Sequence, residues 1–218
     1  FGCPLCIHGE VTEKYIDIFD REKAFIDNVL SKIRTDNPTL KVIMEHITTK
    51  DAVDYVFSGN ENLAATVTTH HLSINRNDLL TGGIRPHFYC LPVVKRETHR
   101  LALVEAVVSG SPKFFLGTDS APHLDQDKES FCGCAGCFTA TNTLEILAHI
   151  FDEQEALNKL ELFTSINGAK FYGKNINSDK IKIIKKNKPT SFPKKISTPS
   201  GEITVFKPNF ETKWQVQV

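Results

Sequence analysis

The sequence predicts an α/β fold built on parallel strands, and three observations lead there. Short apolar runs alternate with stretches of helical period over about the first 170 of the 218 residues. The runs are separated by helical segments rather than tight turns, as parallel strands require. Three of the four runs stop abruptly at a side chain able to bind a metal: His8, His46 and Asp119.

The elements follow in order. Residues 5–7 read as a short buried strand ending at His8. Asp20 is placed to cap a helix whose apolar positions Phe25, Ile26, Val29, Leu30 and Ile33 recur at helical spacing, and Asn37-Pro38 stops it. Residues 40–44 form a second buried strand, running into Glu45-His46. Thr48 or Thr49 caps a helix over 51–56 that Gly59 closes, and 64–68 is a third strand. Residues 69–92 show no clear period, although they hold Gly82-Gly83, Arg85, His87 and Tyr89; so long a connection inside a compact domain is functional. A helix over 96–108 ends at Gly110 and Pro112. Residues 114–116 form the fourth buried strand, leading to Gly117-Thr118-Asp119. The Gly/Cys loop of 132–137 precedes helices near 142–151 and 154–164. Beyond Gly173 the pattern weakens, with short strands at 203–206 and 214–218. Two parts are therefore expected: an α/β body over 1–173, and a Lys-rich extension over 174–218 that packs on the body or trails from it.

With 40% apolar and 24% charged residues the composition is that of an ordinary globular protein. No apolar run approaches the roughly 20 residues of a membrane span. The chain opens on Phe1 and passes straight into a strand-like run, the mark of a processed or truncated chain. Residues 1–7 are too short and uncharged for a signal peptide. Basic and acidic residues balance at 26 each, yet 174–218 carries ten Lys against three acids. That stretch has no Arg and little aromatic interleaving, so it reads as a solvated tail and not as a nucleic-acid surface. Six Cys are too sparse for a secreted disulfide framework, and reduced thiols in the cytoplasm are expected.

Parallel strands followed by helices bring their C-terminal ends to one face, where α/β barrels build their sites. Two imidazoles and a carboxylate there suit zinc, and a neighbouring carboxylate can carry a proton. Each residue also has a plainer reading: a strand-end His as a hydrogen-bonding group, Asp119 as the cap of a turn. A competing metal reading takes Cys132-x-Cys134-x-x-Cys137 with Cys90 as a structural zinc site. Cys3-x-x-Cys6 has the spacing of a redox pair but runs into an apolar strand, so buried thiols are expected. His70-His71 is assigned to a loop or the surface.

The motifs resemble dihydroorotase of the shorter, bacterial type. The resemblance rests on His8-Gly9-Glu10, Glu45-His46-Ile47-Thr48-Thr49-Lys50-Asp51-Ala52 and Asn75-Arg76-Asn77. It continues through Gly82-Gly83-Ile84-Arg85-Pro86-His87, Tyr89-Cys90-Leu91-Pro92 and Gly117-Thr118-Asp119-Ser120-Ala121-Pro122-His123. Lys128-Glu129-Ser130, Cys132-Gly133-Cys134-Ala135-Gly136-Cys137-Phe138, Asn167-Gly168 and Phe171-Tyr172-Gly173 complete it. It is dense over 2–173 and faint afterwards.

The resemblance implies a (β/α)8 TIM barrel of the metal-dependent hydrolase type with two zinc ions at its C-terminal face, of which this chain supplies strands five to eight. It implies that His8 and His46 ligate one zinc, and that Asp119 ligates the other and acts as general base. Leu91 through its backbone, His123 through its side chain and the loop at Ala135 would contact substrate. The implied reaction is the reversible cyclisation of N-carbamoyl-aspartate to dihydroorotate in pyrimidine synthesis, by a homodimer acting on small molecules, without nucleic acid or membrane. The family's His-x-His pair, substrate-binding Arg, carboxylated Lys and Thr-bearing loop match nothing in this chain, so the chain alone is expected to be inactive and prone to aggregate. A hydantoinase-like amidohydrolase and a non-catalytic relative that binds a partner are the other readings.

Overall fold

Four apolar runs assemble into one parallel sheet in chain order, in a computed structural model that describes residues 2–217. The strands are β1 (Leu5–His8), β2 (Val42–Glu45), β3 (Leu63–Val67) and β4 (Phe114–Leu116). Their register pairs His8 with Glu45, Met44 with Ala65, and Val67 with Leu116. β2 and β3 are covered on both faces, which is why Val42-Ile43-Met44 and Leu63-Ala64-Ala65 are unbroken apolar runs. β1 departs from the expectation of a buried strand. It lies at the sheet edge, Leu5 and Cys6 are exposed, and so is Cys3. The thiols of Cys3 and Cys6 are therefore not buried, because among the described residues only β2 flanks this strand.

Helices fill each crossover. Between β1 and β2 run α1 (Arg21–Phe25), a π turn at Ile26–Leu30 and α2 (Ser31–Asp36), ended by Asn37. Asp20 occupies the N-cap position without making a side-chain cap bond. α3 (Lys50–Ser58) joins β2 to β3; Thr49 Oγ1 accepts from Ala52 N and Gly59 closes the helix. The stretch without period holds two helices too short to display one, α4 (Thr69–Ser73) and α5 (Arg76–Leu80). Thr68 caps the first, and Asn75 with Asp78 forms a capping box on the second. A 3-10 turn at Pro86–Phe88 precedes α6 (Glu97–Val108). His70 and His71, assigned to a loop or the surface, are buried in α4 at 0% and 2% exposure.

Beyond β4 come α7 (Asp125–Lys128) and α8 (Thr143–Glu153). A 3-10 turn at Leu157–Lys159 follows, then a π turn at Leu162–Ile166 that passes into α9 (Asn167–Phe171). The last helical run thus starts later and reaches further than 154–164. Leu30, Met44, Leu63, Phe114, Phe151 and Phe163 share one core between sheet and helices.

The extension is folded onto this body. β5 (Lys182–Lys185) pairs antiparallel with β8 (Trp214–Gln217), and β6 (Lys195–Thr198) pairs with β7 (Gly201–Thr204). The strand expected at 203–206 lies two residues earlier, and of the run 214–218 Val218 is outside the described residues. Phe206 N donates to Phe138 O, Asn142 Nδ2 donates to Phe206 O, and Val205 and Phe206 are buried. Lys185 pairs with Asp152 and Lys195 with Asp125, so part of the Lys-rich run is anchored to carboxylates of the body.

Candidate functional site

Two imidazoles meet at the C-terminal end of the parallel sheet, with the Asp119 carboxylate in their neighbourhood. His8 is the last residue of β1, His46 follows β2 directly, and Asp119 stands three residues beyond β4. His8 Nδ1 lies 3.3 Å from His46 Nε2, with ring centroids 4.9 Å apart and planes inclined by 64°. Asp119 is close enough that its charge acts on His8 and that of His8 on it.

The backbone is bent to bring the side chains there. His46 and Asp119 have φ of 42° and 40°, in the left-handed region that few residues other than Gly, Asn and Asp enter readily. Thr66 on β3 holds the first of these turns. Its Oγ1 accepts from His46 N at 2.7 Å and donates to Glu45 Oε2 at 2.6 Å, while Ile47 N donates to Thr66 O. Gly117 leaves room for it, since a Cβ there would stand 2.6 Å from Thr66 Cβ. Replacing Gly117 by Ala is expected to push Thr66 aside and destabilise the fold by about 1–3 kcal/mol. Metal affinity should fall with it; thermal unfolding and metal titration of the variant check both.

Glu10 sets the tautomer of His8. Its Oε2 lies 3.2 Å from His8 Nε2 and keeps the proton there, which leaves the Nδ1 lone pair directed at His46. This hydrogen bond is the main cause of the raised pKa of His8. His46 is pushed down to about 4, first by burial and then by the neighbouring His8, so its ring is neutral near pH 7. Burial raises the Asp119 carboxyl, against the opposing pull of His8. Lys95, buried 3.9 Å from Glu10 Oε1, donates to Val93 O, and burial lowers its own pKa.

The donor set fits a metal. Two nitrogens on one tetrahedral zinc, at Zn–N of about 2.0–2.1 Å, stand about 3.3–3.4 Å apart. The observed His8–His46 separation of 3.3 Å matches that span.

Two loops flank this centre. His123 Nε2 is 3.1 Å from Ala135 O. Gly136 packs on the same imidazole with φ of 148°, and a Cβ there would stand 2.5 Å from Ala121 Cβ. Ala121 N donates to Cys137 O, and Gly136 N donates to Tyr89 O, which joins the loop bearing Ala135 to that bearing Asp119 and to the segment leading to Leu91. The buried Lys128 ammonium fastens these loops by donating to Tyr89 O, Cys134 O and Gly136 O.

The four thiols of the competing reading do not converge. Cys132 is exposed and Cys134 half-buried, while Cys90 and Cys137 are buried with His70. Sequence reasoning also passed over the supporting roles of Glu10, Glu22, Thr66 and Lys128. Only Glu10 left a signal, as the carboxylate two positions beyond a strand-end His.

Comparison with known proteins extends the geometry. The profile of the amidohydrolase family matches residues 1–210. A dihydroorotase of Ruegeria sp. (strain TM1040) is 60% identical over 215 residues, which are 99% of this chain and 62% of that protein. The dihydroorotase of Saccharomyces cerevisiae in complex with 5-fluoroorotic acid superposes with a TM-score of 0.86 at 33% identity, covering 99% of this chain and 63% of that one. The dihydroorotase of Campylobacter jejuni superposes with a TM-score of 0.86 at 32% identity, over 99% of this chain and 60% of that one. The chain thus spans about 62% of the length of the curated relatives it matches. Its parallel strands match part of the barrel expected from the sequence. With the family profile matched almost end to end, the chain belongs to the amidohydrolase family.

Proposed function

We propose that this chain is part of a dihydroorotase, which opens and closes the cyclic amide between dihydroorotate and N-carbamoyl-L-aspartate. The 3.3 Å approach of His8 Nδ1 and His46 Nε2 beside Asp119 carries the reading. The relatives named dihydroorotase supply the substrate class. Activity is proposed for a chain that spans the full length of those relatives.

His8 and His46 would hold one zinc and Asp119 a second. Zinc bound there supplies nucleophilic water at neutral pH and polarises the amide carbonyl. Asp119 accepts a proton from the attacking water. It returns that proton to the amide nitrogen as the C–N bond breaks, so that atoms and charge balance in both directions. His123 faces the substrate carboxylate, and the backbone at Leu91 and the loop at Ala135 hold the ring. The free state of all six cysteines supports a cytoplasmic setting. Among the described residues no helix is long and apolar enough to cross a membrane. A homodimer follows from the resemblance and is read by light scattering.

The test uses dihydroorotate ring opening and zinc content together. His46→Ala in the full-length chain is expected to lose one zinc equivalent and to lower kcat by 10²-fold or more, on the order of the loss for removing an essential catalytic group. Undiminished turnover by that variant, or hydrolysis of hydantoins in preference to dihydroorotate by the parent, would overturn the proposal.

A further inference from the structure

A second donor set lies buried apart from His8, His46 and Asp119. His70 on α4, Cys90 in the segment before α6 and Cys137 in the Gly/Cys loop bring their ligand atoms within 4.8 Å of one another. All three are buried, at 0%, 1% and 1% exposure. Neither ring nitrogen of His70 has a hydrogen-bond partner among the described residues. A neutral buried imidazole has one donor and one acceptor to satisfy, and each left unmade carries the cost of its desolvation. The neighbouring His71 shows the contrast: its Nδ1 bonds Thr68 Oγ1 and its Nε2 bonds Pro92 O, both at 2.8 Å, so it has no lone pair to spare. The thiols have weak contacts: Cys90 Sγ with Pro92 O at 3.4 Å and with His71 Nε2 at 3.5 Å, and Cys137 Sγ with His87 O at 3.6 Å.

We infer that His70, Cys90 and Cys137 form a structural site for a thiophilic divalent cation, zinc foremost, distinct from the candidate active centre. Two thiolates and a neutral imidazole balance the charge of such an ion, which removes the main objection to burying it. The contact with Cys137 and burial push the Cys90 thiol well up from its ordinary value, and a bound cation deprotonates a coordinating thiol outright. Donors on one tetrahedral zinc stand about 3.4–3.8 Å apart, so the cluster has to contract by roughly an ångström where it is widest. The ion would cross-link α4, the segment bearing Leu91 and the loop bearing Ala135, which are far apart in sequence. This assignment also separates the cysteines: exposed Cys132 and half-buried Cys134 lie outside the site.

Cobalt provides the probe, because sulfur-to-cobalt charge transfer in the near ultraviolet reports thiolate ligation and is silent at a centre of His and Asp. The full-length protein, stripped of metal under reducing conditions and titrated with Co²⁺, is expected to show this band. The band should persist in the Cys132→Ser/Cys134→Ser variant and in His8→Ala/His46→Ala. It should be lost or strongly shifted in His70→Gln and in Cys137→Ser; His70→Gln nearly preserves volume and guards against a thiol variant that fails to fold. No band in the parent, a band abolished by Cys132→Ser/Cys134→Ser, or a band unchanged by His70→Gln would each overturn the site.

Discussion

Replacing Asp119 by Asn in the full-length protein is expected to lower kcat for dihydroorotate ring opening by roughly 10²–10⁴-fold, the range for loss of a general acid–base group. Asn matches Asp in shape and is at home in the left-handed backbone that residue 119 adopts, so the fold should be retained. What disappears is the acceptor for the proton of the attacking water, and with it the donor for the departing nitrogen. KM should change far less than kcat, because the ring contacts proposed for Leu91, His123 and Ala135 remain. Steady-state kinetics with zinc content measured on the same sample separate lost proton transfer from lost metal. Turnover within about threefold of the parent would remove Asp119 from the mechanism.

The largest expected effect on stability is at Glu22. Its buried carboxylate accepts from Thr48 N, Thr48 Oγ1, Thr49 N and Thr49 Oγ1 at 2.5–3.1 Å. It thereby ties the first turn of α1 to the turn that follows His46. Glu22→Ala leaves these buried donors without an acceptor and takes away a negative charge that acts on buried Lys95. A loss of about 3–5 kcal/mol is expected, since breaking a buried charged network exposes the remaining partners to the full cost of desolvation. In a chain of this size that lowers the melting temperature by about 10 °C. Glu22→Gln, which keeps one acceptor oxygen, should fall between. Calorimetry of the two variants checks the order, and an unchanged transition in Glu22→Ala would show that the network is idle.

The four strands were legible because each is a short apolar run cut off by Gly, Pro or a polar side chain. His8, His46 and Asp119 stood out for the same reason, as polar residues at the ends of apolar runs. The rest depends on contacts that local sequence does not encode. Glu22 acts on residues 26 and 27 positions away. His70 and His71 look like polar loop residues until α4 is packed beneath α6 and α8. α4 and α5 have five residues each, little more than one turn, so no period marks them. Burial at Cys3 and Cys6 was misjudged because an apolar run does not say whether its strand has neighbours on both sides. In the extension, β5 and β6 are four residues each and exposed or half-buried throughout, with Lys at both ends of β5, too short and polar to announce themselves as strands.

The left-handed turns at His46 and Asp119 set stability and chemistry against each other. Gly in place of His46 would relax the main chain at that turn, and selection for heat resistance alone should favour it. The same change would strip the imidazole from the mouth of the sheet. Sequences evolved only to survive heating should therefore drift toward Gly or Asn at 46 and toward Asn or Gly at 119, and stop turning over as they do.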